Sequence, residues 1–182
     1  MCIRDSNPSG MSASKLGVKL LFIYANPNHI NNLENIINSC FLNVTNFTAK
    51  PYTSALSALT DEEKNQGSVC IDIGAGTTSI SVFIDGSIVY AKSLNLGGWY
   101  ITNDISKELS TPFDQAEALK TLYGSALRGA NDGEEIFQIP IIGGNDENRL
   151  SFSRSKLISI IKPRFWEILM HSKKCIEQSG YK

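Results

Sequence analysis

The chain has 182 residues and a mass of 20.0 kDa, room for one compact domain or two small ones. With 42% hydrophobic and 19% charged residues it is globular rather than disordered, and 17 Lys and Arg against 18 Asp and Glu leave none of the basic excess that nucleic-acid binding needs. The longest apolar run, Leu20 to Ala25, is far short of a membrane span, and Cys2, Cys40, Cys70 and Cys175 have neither metal-ligand spacing nor the density of a disulfide framework, so a soluble protein of a reducing, intracellular compartment is expected.

Met1 to Ser6 resemble the in-frame translation of a sequencing-library adapter, and residues 1–10 are read as an adapter-derived or disordered leader. The chain stops at Gly180-Tyr181-Lys182, directly after a long helical pattern, so a gene fragment cut at both ends is expected. Val18 to Ala25 predicts a buried strand. Asn26-Pro27 then offers an N-cap and a first-position proline for a helix over Pro27–Cys40, where Ile30, Leu33, Ile36, Ile37 and Cys40 share one face. Leu42 to Ala49 alternates in part and predicts a second strand, giving a small sheet with a helix on one side. Tyr52 to Leu59 predicts a short helix, and Thr60-Asp61-Glu62-Glu63 a capping box that opens another.

Three strands follow: Ser68 to Ile73, Thr77 to Ile84 and Ser87 to Leu94. Gly74-Ala75-Gly76 makes the first turn and Asp85-Gly86 the second, so an antiparallel meander is expected. After Gly97-Gly98, Trp99 to Leu109 predicts a helix. Thr111-Pro112-Phe113-Asp114 combines an N-cap, a first-position proline and an acid ahead of a helix with Phe113, Ala116, Leu119 and Tyr123 on one face. Ala126 to Gly133 reads as a loop. Glu135 to Ile142 and Arg149 to Phe152 predict a hairpin around Gly143-Gly144-Asn145-Asp146. Ser153 caps a last helix to about Gln178, expected to be interrupted or kinked at Pro163. Trp166 and Cys175 are read as packing residues, and Glu134-Glu135 as solvated.

The stretch that carries chemistry is Cys70-Ile-Asp72-Ile-Gly74-Ala75-Gly76-Thr77-Thr78-Ser79. A strand delivers an aspartate, a turn of small residues follows, and two threonines open the next strand. Small residues let a ligand approach the backbone, and successive amides in such a turn make an anion-binding concavity. Threonine hydroxyls can add donors to phosphate oxygens. Asp72, at the strand end, is placed to hold a hydrated Mg²⁺. An isolated Gly-x-Gly is otherwise an ordinary hairpin turn. No Gly-Lys-Ser/Thr follows, which excludes a Walker A loop, and a strand rather than a helix comes next, which excludes a dinucleotide fingerprint. His29 and His171 lie far apart without a cysteine or carboxylate cluster, so neither a metal centre nor a catalytic triad is expected, and no catalytic residue is assigned.

Asp72-Ile-Gly-Ala-Gly-Thr-Thr78 resembles the second phosphate loop of the actin, sugar-kinase and DnaK-type chaperone superfamily. Within it the chain is most similar to the FtsA family of bacterial cell-division proteins. The strings that carry the resemblance are Leu59-Thr-Asp-Glu-Glu-Lys64, Gly97-Gly98 with Ile101-Thr-Asn-Asp-Ile105, Thr111-Pro112, Ala116-Glu-Ala-Leu-Lys120 and Pro163-Arg164; they occur in family order over about Pro8 to Gln178. The resemblance implies a mixed α/β, partial actin-like ATPase fold. In it, residues 11–49 are the second half of the 1C insertion, 50–66 return to 1A, 67–98 begin 2A, and 99–182 cover most of 2B. It implies ATP and Mg²⁺ as ligands, with Gly74, Ala75, Gly76, Thr77 and Thr78 in the phosphate loop. Gly97 and Gly98 would lie beside the nucleotide, Glu117 and Lys120 would reach ribose and adenine, and Asp72 would be on the metal side.

The resemblance further implies that Arg164 and Glu167 lie on a helix that binds the C-terminal peptide of the tubulin-like protein FtsZ. It implies actin-like filaments, contacts to other division proteins through 1C, and a peripheral place on the inner face of the membrane at the division septum, reached through a C-terminal helix outside this chain. Ala75 stands where the family has a middle glycine, which requires a negative φ, and Ser79 stands where it has an aspartate, which bears on hydrolysis. Two other readings are a type IV pilus assembly ATP-binding scaffold and a small-molecule kinase or phosphatase of the same superfamily. The first is disfavoured by the Thr-Asn-Asp-Ile and Leu-Thr-Asp-Glu-Glu-Lys strings, the second by the lack of a catalytic carboxylate set to activate a nucleophile.

Overall fold

A computed structural model describes residues 10, 12, 14, 15, 17, 20–129, 132–140 and 149–181. Its elements run α1 (Pro27–Ser39), α2 (Lys50–Ala58), α3 (Asp61–Gln66), β1 (Ser68–Ile73), β2 (Thr78–Ile84), β3 (Ser87–Leu94), α4 (Gly98–Glu108), α5 (Phe113–Tyr123), β4 (Ile136–Pro140), β5 (Arg149–Ser153) and α6 (Arg154–Gln178). They fall into two compact units, one up to Cys70 with Ser81–Lys92, the other Ile71–Ile80 with Ser93–Lys182.

In the first unit, α1 starts as its sequence dictates. The Asn26 side chain accepts from the Asn28 amide at 3.0 Å, and Pro27 takes the first position. The flanking strands expected at residues 18–25 and 42–49 do not form: residues 20–25 and 42–49 have no regular structure, and Val18 and Lys19 lie outside the described residues. A strand needs a partner and a core to pack on, and α1, with no buried residue and with Leu33 and Ile36 exposed, offers none. Ala55 of α2 is fully buried, and the Tyr52 ring stacks on Phe83 at 6.4 Å. The capping box of α3 is complete. Thr60 Oγ1 accepts from the Glu63 amide at 3.3 Å, and Glu63 Oε2 accepts from the Thr60 amide at 2.8 Å. The helix ends at Gly67, whose φ of +100° suits glycine.

The order β1-β2-β3 matches the expected meander. Asp85 (φ 51°) and Gly86 (φ 72°) turn β2 into β3, as a two-residue hairpin with both angles positive requires. β2 is buried from Thr78 to Phe83, consistent with its central place.

In the second unit, Ile101, Ile105, Leu109, Ala116, Leu119, Ile139, Phe152, Leu157, Ile161 and Ile168 form one core shared by α4, α5, the β4–β5 hairpin and α6. Helix α5 begins at Phe113, with Pro112 as its cap residue, one position later than the sequence suggests. β4 and β5 pair antiparallel, with Ile136 opposite Ser153 and Ile139 opposite Leu150; the expected turn at 143–146 lies outside the described residues. The rings of Tyr123, Phe137 and Phe152 meet in series in tilted contacts, with centroids 4.4 and 5.7 Å apart.

Three expectations are corrected in this unit. Glu135 is not simply solvated: it pairs with Arg154 at 3.0 Å and its carbonyl accepts from the Arg154 amide, which fixes the start of α6. Pro163 does not interrupt α6, which continues as one helix of 25 residues. The proline removes one backbone hydrogen bond, at a cost of about 3 kcal/mol in a helix interior. It faces solvent, however, while Ile161 and Ile168 are buried on either side of it and hold both halves to the core. Trp166 is 61% exposed rather than core, because the buried stripe of α6 runs through Leu157, Ile161, Ile168 and Cys175. Cys175 is buried as a small apolar residue.

Candidate functional site

The site lies in the second unit. Asp72 is half-buried near the end of β1. The turn beyond it is closed by Gly74 N–H donating to the Thr77 carbonyl at 2.9 Å. The Gly74 amide is therefore committed inside the loop, while the amides of Ala75, Gly76 and Thr77 have no partner among the described residues. No residue from Gly74 to Thr77 has a positive φ, so Ala75 meets the condition that its methyl imposes. Ala75 and Gly76 are exposed, and a Cβ on Gly76 would meet nothing within 4 Å.

The outward-facing carbonyls of the loop are held by α4. Gly98 N–H donates to Gly74 O at 2.9 Å and Trp99 N–H to Ala75 O at 2.7 Å. Helix amides without an intrahelical acceptor need partners, and the loop supplies two. The approach is so close that a Cβ on Gly97 would lie 2.5 Å from both Gly74 O and Ala75 O. This is why glycine stands at position 97: the loop backbone occupies the space of a side chain, whereas a Cβ on Gly98 would make only ordinary contacts, 3.5 Å from Lys120 Nζ and 3.8 Å from Gly74 O.

Thr78, grouped with the loop by resemblance, is fully buried, and its hydroxyl donates to Leu96 O at 2.7 Å. It braces the loop from behind, leaving Thr77, half-buried, as the threonine on the open side. Ser79, in the position of the family aspartate, is buried with its hydroxyl 3.4 Å from that of Ser93.

Glu117 and Lys120 form no loose surface pair. Lys120 Nζ lies 2.7 Å from Glu117 Oε2, 2.8 Å from Thr102 Oγ1 and 3.3 Å from Gly98 O. Thr102, fully buried, lies 2.5 Å from Glu117 Oε2 and 3.1 Å from Gly98 O. The Lys120 hydrogen bond, then that from Thr102, hold the Glu117 carboxyl below its ordinary value of 4.5. A depressed carboxylate stabilises the fold fully above its unfolded value and loses that contribution as pH falls through the folded one. The expected result is that the wild-type denaturation midpoint falls more steeply below pH 4.5 than that of Glu117→Gln, with the two curves parallel above it. Curves that stay parallel through the acid range would show the pair to be loose.

Arg164 and Glu167 are also brought together, with a third member. Arg164 grips Asp104 of α4 in a fork, Nε to Oδ2 at 2.6 Å and Nη2 to Oδ1 at 3.2 Å, and donates from Nη1 to Glu167 Oε2 at 2.6 Å. Its guanidinium carbon lies 6.0 Å from the centre of the Tyr100 ring. The hydrogen bonds to Asp104, against the opposing effect of burial, raise the guanidinium further above its ordinary value. Asp104 and Thr102 were missed as site residues by sequence reasoning. Both sit inside the Ile101-Thr-Asn-Asp-Ile105 string, which marks the family without showing which members make contacts.

The sequence model of the family described as "Cell division protein FtsA" matches residues 69–162, more than half of the chain. The chain belongs to the FtsA family. A curated FtsA of Rhizobium meliloti (strain 1021) is 38% identical over 180 residues, covering 98% of this chain and 40% of that protein. The chain thus spans about two-fifths of the length of the FtsA relative it matches. Among solved structures, MreB5 of Spiroplasma citri bound to ADP superposes with a TM-score of 0.70 at 23% identity, over 84% of this chain and 48% of that one. The PilM–PilN type IV pilus biogenesis complex superposes at 0.61 and 18% identity, over 84% of this chain and 37% of that one. Both likenesses establish the actin-like fold, mixed α/β and partial in this FtsA segment.

Proposed function

We propose that this FtsA segment supplies one wall of an Mg-ATP site in an actin-like protein that tethers FtsZ polymers to the inner face of the membrane at the septum and recruits later division proteins. The observation that carries the reading is the seating of the α4 amides on the loop carbonyls, with the Ala75, Gly76 and Thr77 amides left on the open side. The residues fit the ligands. Small, exposed loop residues leave room for phosphate oxygens, and Asp72 offers the single carboxylate that a hydrated Mg²⁺ takes. ATP acts here as a ligand that favours closed, polymer-forming states by ordinary linkage. MreB5 bound to ADP supports nucleotide as the ligand class. The pilus scaffold shares the fold, but the FtsA match favours cell division.

In this reading residues 11–49 are the 1C side, 50–66 belong to 1A, 67–98 to 2A and 99–182 to 2B. The exposed Leu33 and Ile36 of α1 suit a face for other division proteins or a second copy. The FtsZ tail would meet α6 beyond Arg164 and Glu167, since that guanidinium is already held by two carboxylates. Further along, an open groove of about 420 Å³ is lined by Met170, His171, Lys173, Lys174 and Glu177. It offers an apolar seat and cations for an acidic peptide. Membrane contact would come from an amphipathic helix elsewhere in the full-length protein; no helix among the described residues is long and apolar enough to cross a membrane.

Calorimetry tests the nucleotide site. Full-length protein is expected to bind Mg-ATP, Asp72→Ala to weaken it by about tenfold or more, as loss of a charged interaction does, and the isolated 182-residue chain to bind poorly. Unchanged affinity in Asp72→Ala would refute the metal-side role.

A further inference from the structure

The grip of α4 on the loop and the open amides of the loop are two ends of the same peptide groups. The Gly74 carbonyl, which accepts from Gly98 N–H at 2.9 Å, shares its peptide with the Ala75 amide. The Ala75 carbonyl, which accepts from Trp99 N–H at 2.7 Å, shares its peptide with the Gly76 amide. A trans peptide is planar, with its C=O and N–H pointing in opposite directions, and no described peptide bond is cis. Carbonyls turned towards α4 therefore turn both amides away from it, onto the open side, where neither has a partner among the described residues. The Thr77 amide lacks this backing, since the Gly76 carbonyl of its peptide is held by no described residue.

We propose that the Gly74–Ala75 and Ala75–Gly76 peptides are a relay that links occupancy of the loop to the docking of α4. The inference rests on the nucleotide-binding reading above and adds the regulation of that site. The link runs in both directions. An anion that accepts from the Ala75 and Gly76 amides makes their carbonyls better acceptors for Gly98 and Trp99, because hydrogen bonds in a chain polarise one another. Undocking of α4 frees the carbonyls, lets the two peptides rotate and takes the amides off the anion. Neither α4 amide has another acceptor inside its helix, so the two bonds to the loop are lost together with the docking. Helix α4 also carries Ile101 and Ile105 into the core of the second unit. What the loop holds is thus passed to that core through main-chain groups alone.

Hydrogen exchange in the full-length protein, read amide by amide by NMR with and without Mg-ATP, tests the relay. In the free protein the Gly98 and Trp99 amides should exchange through local undocking of α4. They should do so faster than the amide of fully buried Ile168, which waits for a larger opening. Mg-ATP at about a hundred times its Kd should slow Gly98 and Trp99 by about a hundredfold, because an opening that releases the ligand is suppressed by that factor. The Ser179 amide, which donates to Cys175 O at the far end of α6, should not respond. Unchanged rates at Gly98 and Trp99 would overturn the relay, since α4 would then open without releasing the ligand. Equal slowing of Ser179 would overturn it by showing a general effect. Exchange of Gly98 and Trp99 as slow as that of Ile168 in the free protein would also overturn it, because α4 would have no undocked state to report. Absence of Mg-ATP binding in calorimetry would instead sink the nucleotide reading itself.

Discussion

Alanine at position 97 is expected to abolish measurable Mg-ATP binding in the full-length protein and to destabilise the 182-residue chain by about 3 kcal/mol, the upper range for overpacking. Gly97 has an extended φ of −167°, which any residue adopts, so backbone strain is not the cause. The cause is space. The new methyl would lie 2.5 Å from the carbonyl oxygens of Gly74 and Ala75 and 2.8 Å from the Ala75 carbonyl carbon. These are backbone atoms, and two of them are the acceptors for Gly98 and Trp99. Relieving the clash means pulling α4 off the loop, which breaks both bonds and releases the geometry of the neighbouring amides. At about 2–4 °C per kcal/mol for a chain of this size, the melting temperature should drop by about 6–12 °C. A variant that melts with wild type would mean that the loop and α4 are not docked as described.

The second large effect is expected at Arg164. Glutamate there would put three carboxylates where one guanidinium now serves Asp104 and Glu167. Removing one partner of a partly buried ion pair leaves the rest uncompensated; about 3 kcal/mol of destabilisation is expected, at the low end for buried pairs because this cluster is about a quarter exposed. Arg164→Met, which keeps the stem over Tyr100 without adding a charge, should cost less. Thermal melting of the three proteins in low and high salt measures this, since added salt should narrow the gap between the glutamate and methionine variants. Equal stability of all three would remove Arg164 from the bracing of α4 against α6. The same series separates roles in partner binding. Weakened FtsZ-tail binding with intact ATP affinity would mark a contact residue, whereas loss of both would mark unfolding.

Much of this fold was legible because local chemistry and tertiary packing agree. Thr60 and Glu63 cap α3, Asp85 and Gly86 turn the hairpin, and Ser68–Ile73 and Ser87–Leu94 are strands over the expected ranges. The expectation failed where tertiary context decides. Leu20–Ala25 and Leu42–Ala49 have strand-like composition, but among the described residues they find no partner strand. Pro163 carries a strong local signal that burial of Ile161 and Ile168 overrides. Trp166, expected to pack, is exposed because its position lies off the apolar stripe of α6. In the site, glycine spacing revealed the loop, but nothing in a linear string shows that Thr102 sits under Glu117 and Lys120, or that Asp104 and Arg164, 60 positions apart, meet.

The hydroxyl of Thr78 grips the carbonyl of Leu96 across the whole β2–β3 hairpin, 18 positions away. Strand faces alternate with every residue, so a lone insertion or deletion in either arm would turn that threonine away from its acceptor. Length variation among natural versions of this hairpin should therefore be even in parity, shared by both arms, and lineages that break the rule should have found another way to anchor the base of the loop.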